Sequence, residues 1–376
     1  MRPARDTNVP TGRDDLRTTL GGVGVTDSFV RPPALSLGDT VAVVAPSSGG
    51  AGFAPHVRDL GVERLRETFG LDPVVYPTAT KDDDDLKSNP EARAADVHDA
   101  FRDPDVRAVV ATIGGDDQIR VLRHLDPDVL RSNPTRFYGM SDNTNLALFL
   151  WNRGVVSFYG GQLMNQLATP DHLPAYTERY VRRAFFEESL GDLDAAAEWA
   201  DYDVDWSDPE YKTQSNEFHE SEGWRWAGGD EAVAGRVWGG CLTVLDWQLA
   251  TNRYLPDPER LDGRVLVIET AEEMPAADQV RRMLMCMGER GLLERFAAVL
   301  VGRPATASHL ARLDADERGQ YRADQRAAIL GQLERYNPDA PVVFDLDFGH
   351  TNPTAPIPIG GRVRVDPGER SITFPG

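Results

Sequence analysis

The chain has 376 residues, more than one ordinary hydrophobic core accommodates, so two domains are expected. Hydrophobic residues make up 41% and charged residues 27%, a soluble globular balance, and no stretch nears the ~20 apolar residues that span a bilayer. Sixty Asp and Glu against 40 Lys and Arg leave a net charge of −20, a field that repels nucleic acid and anionic membrane surfaces.

Met1 to Phe29 lacks a cationic-then-apolar signal, so residues 1–34 are read as a flexible leader and the protein as cytoplasmic. Thr40–Ala45 (TVAVVA) is a continuous apolar, β-branched run, as in a strand buried on both faces, and it ends in Pro46-Ser47-Ser48-Gly49-Gly50. A helix over about 57–69, a short strand at Val74–Tyr76 and a helix over Glu91–Phe101 follow. Val106–Ile113 predicts a third strand ending in Gly114-Gly115, then a helix over Asp116–Leu125 with Asp116 as its cap. Arg136–Met140 predicts a fourth strand, Asp142–Trp151 a helix and Val155–Tyr159 a fifth strand. Strands alternating with helices imply a doubly wound parallel sheet over residues 35–190. Its sites form beyond the strand C-termini, where the turns at Pro46, Gly114 and Ser141 would gather.

Across 191–229 the pattern breaks down into an acidic connection holding Trp199, Trp206, Trp224 and Trp226. It reads as exposed aromatics, either a packed satellite cluster or a substrate-gripping loop. From 230 to 376 a second, smaller α/β domain is expected. Its strands are Gly235–Trp238, Arg264–Ile268, Ala297–Val301 and Pro341–Leu346, its helices lie near Leu242–Ala250, Ala276–Arg290 and Asp324–Tyr336, and short strands fill Ile357–Phe374.

Cys241 and Cys286, the two cysteines, exclude a disulfide framework and are read as packing residues. With no H-E-x-x-H and no paired cysteine, neither a metal nor another cofactor is expected, and Asp82–Asp85 is read as solvated surface. Only three lysines occur against many acids, a surface like that of proteins adapted to high salt.

Four places have chemical potential. Ser141 stands between a strand and a helix, where backbone N–H groups and the helix dipole face a developing oxyanion. Asn143 replaces the second glycine of the common hydrolase elbow, and on this segment alone Ser141 reads first as a helix cap. Gly114-Gly115-Asp116 lets backbone approach a ligand closely. His350 follows a strand and a glycine in a proline-containing loop. Glu269 ends the Arg264–Ile268 strand and could orient a histidine, with Glu272 and Glu273 as competitors that suit capping of the next helix better.

Six segments occur in order: VAVVAPSS (41–48), ATIGGDD (111–117), YGMSDNTNL (138–146), GRVWGGCLTVL (235–245), VLVIETAEEMP (265–275) and FGHTNP (348–353). Together they resemble the LD-carboxypeptidase family of serine peptidases, which includes the microcin C immunity peptidases, from about Leu37 to Phe374. The resemblance implies an N-terminal domain similar to class I glutamine amidotransferases and a homodimer with its site at the domain interface. It implies Ser141 as nucleophile, His350 as base and Glu269 as orienting acid, with Gly115 and Asp142 amides as the oxyanion hole. IGGDD, ETAEEMP and the Trp-rich segment resemble the microcin-immunity branch more than the murein-recycling one. Cys241 departs from the Asn common after Gly239-Gly240, which puts the substrate contact of the Gly240 turn in question. The expected substrate is a short peptide or peptide–nucleotide conjugate with a free carboxylate, held near Gly114, Asp116, Gly240 and Arg303, although a surface salt bridge explains Arg303 better. A non-catalytic α/β binding protein is the rival reading. Glutamine amidotransfer needs cysteine where Ser141 stands.

Overall fold

Buried runs of β-branched residues set the order of the first sheet. In the computed structural model, which describes residues 28–202, 204–308 and 311–376, these runs form β1 (Thr40–Val44), β2 (Asp72–Val75), β3 (Val106–Ala111), β4 (Arg136–Gly139) and β5 (Ser157–Tyr159). They pair in parallel in the order β5-β4-β3-β1-β2, so the strand order reverses between β1 and β3. A crevice opens at such a reversal beyond the strand C-termini. The flanking helices begin where local chemistry starts them: Pro55 and Pro90 occupy first helical positions, and the Asn89 side chain accepts from Ala92 N at 3.0 Å.

The segment read as a connection contributes four short strands, β6 (Gly191–Leu193), β7 (Glu198–Asp201), β8 (His219–Glu220) and β9 (Arg225–Gly228). Then come β10 (Val233–Cys241), β11 (Arg264–Glu269), β12 (Phe296–Gly302) and β13 (Pro341–Leu346), followed by β14 (Thr351–Asn352), β15 (Ile357–Ile359), β16 (Arg362–Asp366) and β17 (Ser371–Phe374). The second sheet runs β6-β17-β16-β10-β11-β12-β13-β9, with β10 to β13 parallel. A small third sheet joins β14, β7 and β8.

Two features lock the halves together. Strand β15 leaves the second half and pairs antiparallel with β5 on the edge of the first sheet, Ile357 opposite Tyr159. The Thr144–Asn152 helix is buried from Thr144 to Trp151, and Trp151 Nε1 donates to Val237 O at 3.1 Å. One hydrophobic cluster accordingly runs from Val41 and Tyr138 to Val265, Leu300 and Val343. The chain reaches His350 just before it crosses back on β15, which carries the loop at 347–353 to the first sheet.

Several expectations are corrected. Asp116–Leu125 is not a helix but two short 3₁₀ turns, Gln118–Arg120 and Leu122–His124. Asp116 caps neither; its carboxylate is exposed and pairs with Lys87 at 3.2 Å. The helix expected at Asp324–Tyr336 begins at Ala315, where Asp314 and Glu317 form a capping box. Cys286 is exposed, so only Cys241 packs in the core. Trp199 is buried and the other three connection tryptophans are half-buried. Of the expected leader, residues 1–27 lie outside the described residues. Residues 28–34 pack on the first sheet, with Val30 bridging Val155 and Arg136 Nε donating to Pro32 O at 3.0 Å. Among the described residues no helix is long and apolar enough to cross a membrane.

Candidate active site

The three turns do converge. Ser48 N donates to Gly114 O at 3.1 Å, joining the turns after β1 and β3. A methyl group placed on Gly114 would meet Ser141 Cβ at 2.7 Å and Oγ at 3.0 Å, so only glycine lets the third turn approach. Gly115 is equally constrained, since its added Cβ would lie 2.5 Å from Ser47 Oγ.

Ser141 has φ 61, a left-handed conformation unusual outside glycine and typical of a strained strand-to-helix elbow. The following helix is entered without a side-chain cap, so the capping reading of Ser141 does not hold. The elbow is braced by Asp142. Its buried carboxylate accepts from Ser47 Oγ at 2.5 Å, Asp117 N at 3.1 Å, Gln118 N at 2.8 Å and Asn145 Nδ2 at 2.8 Å. Complete burial still pushes the Asp142 carboxyl up to about 6. These bonds explain the missing helix, because the amides of residues 117 and 118 turn towards Asp142.

From the other side, β11 ends on Glu269, which is 1% exposed. One of its oxygens lies 2.7 Å from His350 Nδ1, and the other accepts from the Tyr159 hydroxyl at 2.5 Å. The same hydroxyl accepts from Ser141 N at 3.0 Å. Tyr159 therefore bridges the serine elbow and the glutamate across the two sheets. Burial and the Glu269 charge raise its own phenol well above the ordinary value, which keeps it a neutral donor.

Gly349, at φ 95, lets the loop press on Glu269, for an added Cβ would stand 2.6 Å from its Oε2. The second nitrogen of His350 is engaged as well: Nε2 lies 2.9 Å from Glu272 Oε2. Burial alone would lower the imidazole pKa, but the Glu269 and Glu272 charges outweigh it and hold the value well above the usual one. Glu272 and Glu273, suggested as helix caps, cap nothing there; the helix from Ala277 is started by the Gln279 side chain on Ala276 N. No hydrogen bond joins Ser141 and His350 among the described residues.

Gly240, at φ 152, closes the floor: an added Cβ would lie 2.6 Å from Thr144 Oγ1 and 3.1 Å from the Tyr159 ring. Beside it the Cys241 thiol is raised well above its ordinary value by burial and then by Glu269, so it is held as the inert thiol. Arg303 is buried, 2.7 Å from Asp347 Oδ1 and 3.2 Å from Ser221 Oγ, an internal ion pair rather than the surface one expected. Among the described residues no group of three or more His, Cys, Asp or Glu side chains is arranged to hold a metal.

Residues 41–160 match the family model of the LD-carboxypeptidase N-terminal domain, and residues 234–365 match that of the C-terminal domain. This chain belongs to the LD-carboxypeptidase family. It is thus a serine-type carboxypeptidase by family. A putative carboxypeptidase of Vibrio cholerae is 26% identical over 89% of this chain and 94% of its own. The microcin C7 self-immunity protein of Escherichia coli is 24% identical over 90% of this chain and 94% of its own. A crystal structure of a protein from Streptococcus pneumoniae that is like this immunity protein, in complex with AMP, superposes with a TM-score of 0.79 at 29% identity, covering 90% of this chain and 98% of that one.

Within this LD-carboxypeptidase family member, sequence reasoning missed Tyr159 and the second carboxylate on His350. A Tyr ending a strand just before Gly160-Gly161 was the available signal for the first. For the second, Glu272 was weighed only as an alternative to Glu269, whereas both meet the same imidazole.

Proposed function

We propose that this chain hydrolyses an amide bond in a short peptide, or in a peptidyl- or aminoacyl-nucleotide conjugate, with Ser141 as nucleophile, His350 as base and Glu269 as orienting acid. One observation carries the reading: the Tyr159 hydroxyl ties Ser141 N to the carboxylate that holds His350 Nδ1. That bond sets the serine elbow and the imidazole in one frame. Glu269 fixes the tautomer with the proton on Nδ1, and Nε2 becomes a base once Glu272 swings away. His350 then takes the Ser141 proton, and Oγ attacks the amide carbonyl. The Gly115 and Asp142 amides stabilise the oxyanion, and the protonated imidazole gives its proton to the leaving amine. Water, deprotonated by the same base, releases the acyl group and restores Ser141.

Membership of a family named for LD-carboxypeptidases supports a murein peptide, and the nucleotide-bound relative supports a nucleotide conjugate. We place the reaction in the cytoplasm and in a homodimer, as the family resemblance implies, and in high salt, as the charge of −20 suggests. The test compares wild type with Ser141→Ala on an LD-linked murein tetrapeptide and an aminoacyl-sulfamoyl adenylate, in dilute and in molar salt. Turnover lost in the variant supports the serine mechanism, and the preferred substrate picks the branch. Tight binding without turnover, unchanged by the substitution, would leave a ligand-binding protein.

A further inference from the structure

A second cavity, of about 410 Å³, opens beside the C-terminal ends of β12 and β13. In a chain of net charge −20, five guanidinium groups line this cavity against three carboxylates. Four of the five are engaged. Arg225 and Arg326 lie 3.7 Å and 3.1 Å from one oxygen of Asp345, Arg318 lies 2.7 Å from His219 Nε2, and Arg303 spends Nη2 on Asp347.

Arg322 differs. Its guanidinium carbon stands 3.7 Å above the centre of the buried Trp199 ring, and no carboxylate approaches it within ion-pair distance among the described residues. Its Nε and Nη2 are shut off from solvent and have no hydrogen-bond partner, and the same holds for Nε of neighbouring Arg303. A buried donor without an acceptor is costly. Burial, then the like charge of Arg303, outweighs the Asp201 and Asp345 carboxylates beyond ion-pair distance and lowers Arg322 to about 10, which still leaves it cationic at neutral pH. Stacking on Trp199 holds the planar fork in one orientation, so little order is lost when an acceptor arrives.

We propose that this cavity is a binding site for the oxyanion of a small ligand, a carboxylate or a phosphate, with the Arg322 guanidinium as its main contact and Arg303 and Arg318 beside it. The carboxylate source would be a peptide terminus, and the phosphate source a nucleotide or sugar phosphate. None of the residues lining the cavity belongs to the Ser141–His350–Glu269 set, and the site is measured as binding.

The test is calorimetric titration of the full chain with inorganic phosphate and, separately, with N-acetyl-D-alanine. One of the two is expected to saturate with a Kd of about 1 mM or lower, and which one does identifies the source. Ser141→Ala is expected to bind equally well, so failure of the serine reading leaves this result intact. Arg322→Met is expected to weaken binding by about tenfold or more, the worth of a charge-assisted bidentate contact. Arg318→Met, at a side chain already engaged with His219, is expected to weaken it by about threefold and guards against a folding defect in the first variant. Arg58→Met, which removes a surface pair with Asp59, is expected to change nothing. No saturation by either probe up to about 20 mM, or affinities unaltered by both the Arg322 and the Arg318 substitutions, would overturn the proposal.

Discussion

Glu272→Gln is the perturbation that bears most directly on how His350 works. In the structure both nitrogens of the imidazole face carboxylates, Nδ1 towards Glu269 at 2.7 Å and Nε2 towards Glu272 at 2.9 Å. In the proposed mechanism His350 is the base and needs Nε2 neutral and free, so Glu272 opposes that role by favouring the cation. The Glu272 carboxylate, 40% exposed, is partly screened by solvent, so Glu269 keeps the larger hold on the imidazole. The imidazole pKa is raised in wild type, so the acid limb of the rate profile lies above the ordinary histidine value, and Gln moves it towards lower pH. On the acid side of the limb, the rate at fixed pH rises. The assay is the second-order rate of Ser141 modification by a fluorophosphonate between about pH 5 and pH 9, which requires no knowledge of the natural substrate. If Glu272 also touches substrate, turnover plateaus fall while the limb still shifts, so the position of the limb is the readout. An unmoved limb, or one displaced to higher pH, would refute the reasoning.

Three further outcomes are expected. Tyr159→Phe leaves Ser141 N without its acceptor and Glu269 Oε1 without its donor, so kcat should fall about tenfold to a hundredfold with KM nearly unchanged, read from steady-state kinetics on whichever substrate is turned over. Gly349→Ala puts a methyl group 2.6 Å from Glu269 Oε2 at a φ of 95, and should cost about 2–3 kcal/mol in urea unfolding together with at least a hundredfold in activity. Asp142, raised to about 6 against about 4 in the unfolded chain, holds its proton more tightly when folded, so it takes stability away as pH rises from about 4 to about 6; Asp142→Asn should gain on wild type by about 2–3 kcal/mol between pH 4 and pH 7 in denaturant melts, and a constant gap would contradict this.

What the sequence discloses depends on how local each signal is. TVAVV is buried on both faces, and its β-branched run says so without help from any other segment. Pro341–Leu346 is bounded in the structure where its apolar run predicts. By contrast, β6, β7 and β9 pair with β17, β14 and β13, each more than a hundred residues onward, and their own short sequences, GDL, EWAD and RWAG, are mixed and carry charge. Nothing within 191–229 announces those partners, so the segment reads as a connection. Asp116–Leu125 fails for a related reason. Its helical pattern is real, but a buried carboxylate 25 residues away competes for the amides that would start the helix, and it wins because leaving Asp142 unpaired in the interior costs more than one short helix contributes.

The candidate site shows the same division. Ser141, Glu269 and His350 each sit at a strand end, where a chain-order motif can point to them. Tyr159 owes its role to something no single segment contains, the meeting of the end of β5 with the end of β11. That meeting is produced by β15, which returns to the first sheet and pins Ile357 opposite Tyr159 seven residues after His350. The crossing strand therefore does two things at once: it completes the first sheet, and it brings the imidazole loop to the serine elbow. Because the same hydrogen-bonded pairing supports both, a substitution that frees β15 should separate Ser141 from His350 while each half keeps its own strands. The Tyr159 hydroxyl, bound to Ser141 N on one side and Glu269 on the other, is the atom whose environment would report that separation first.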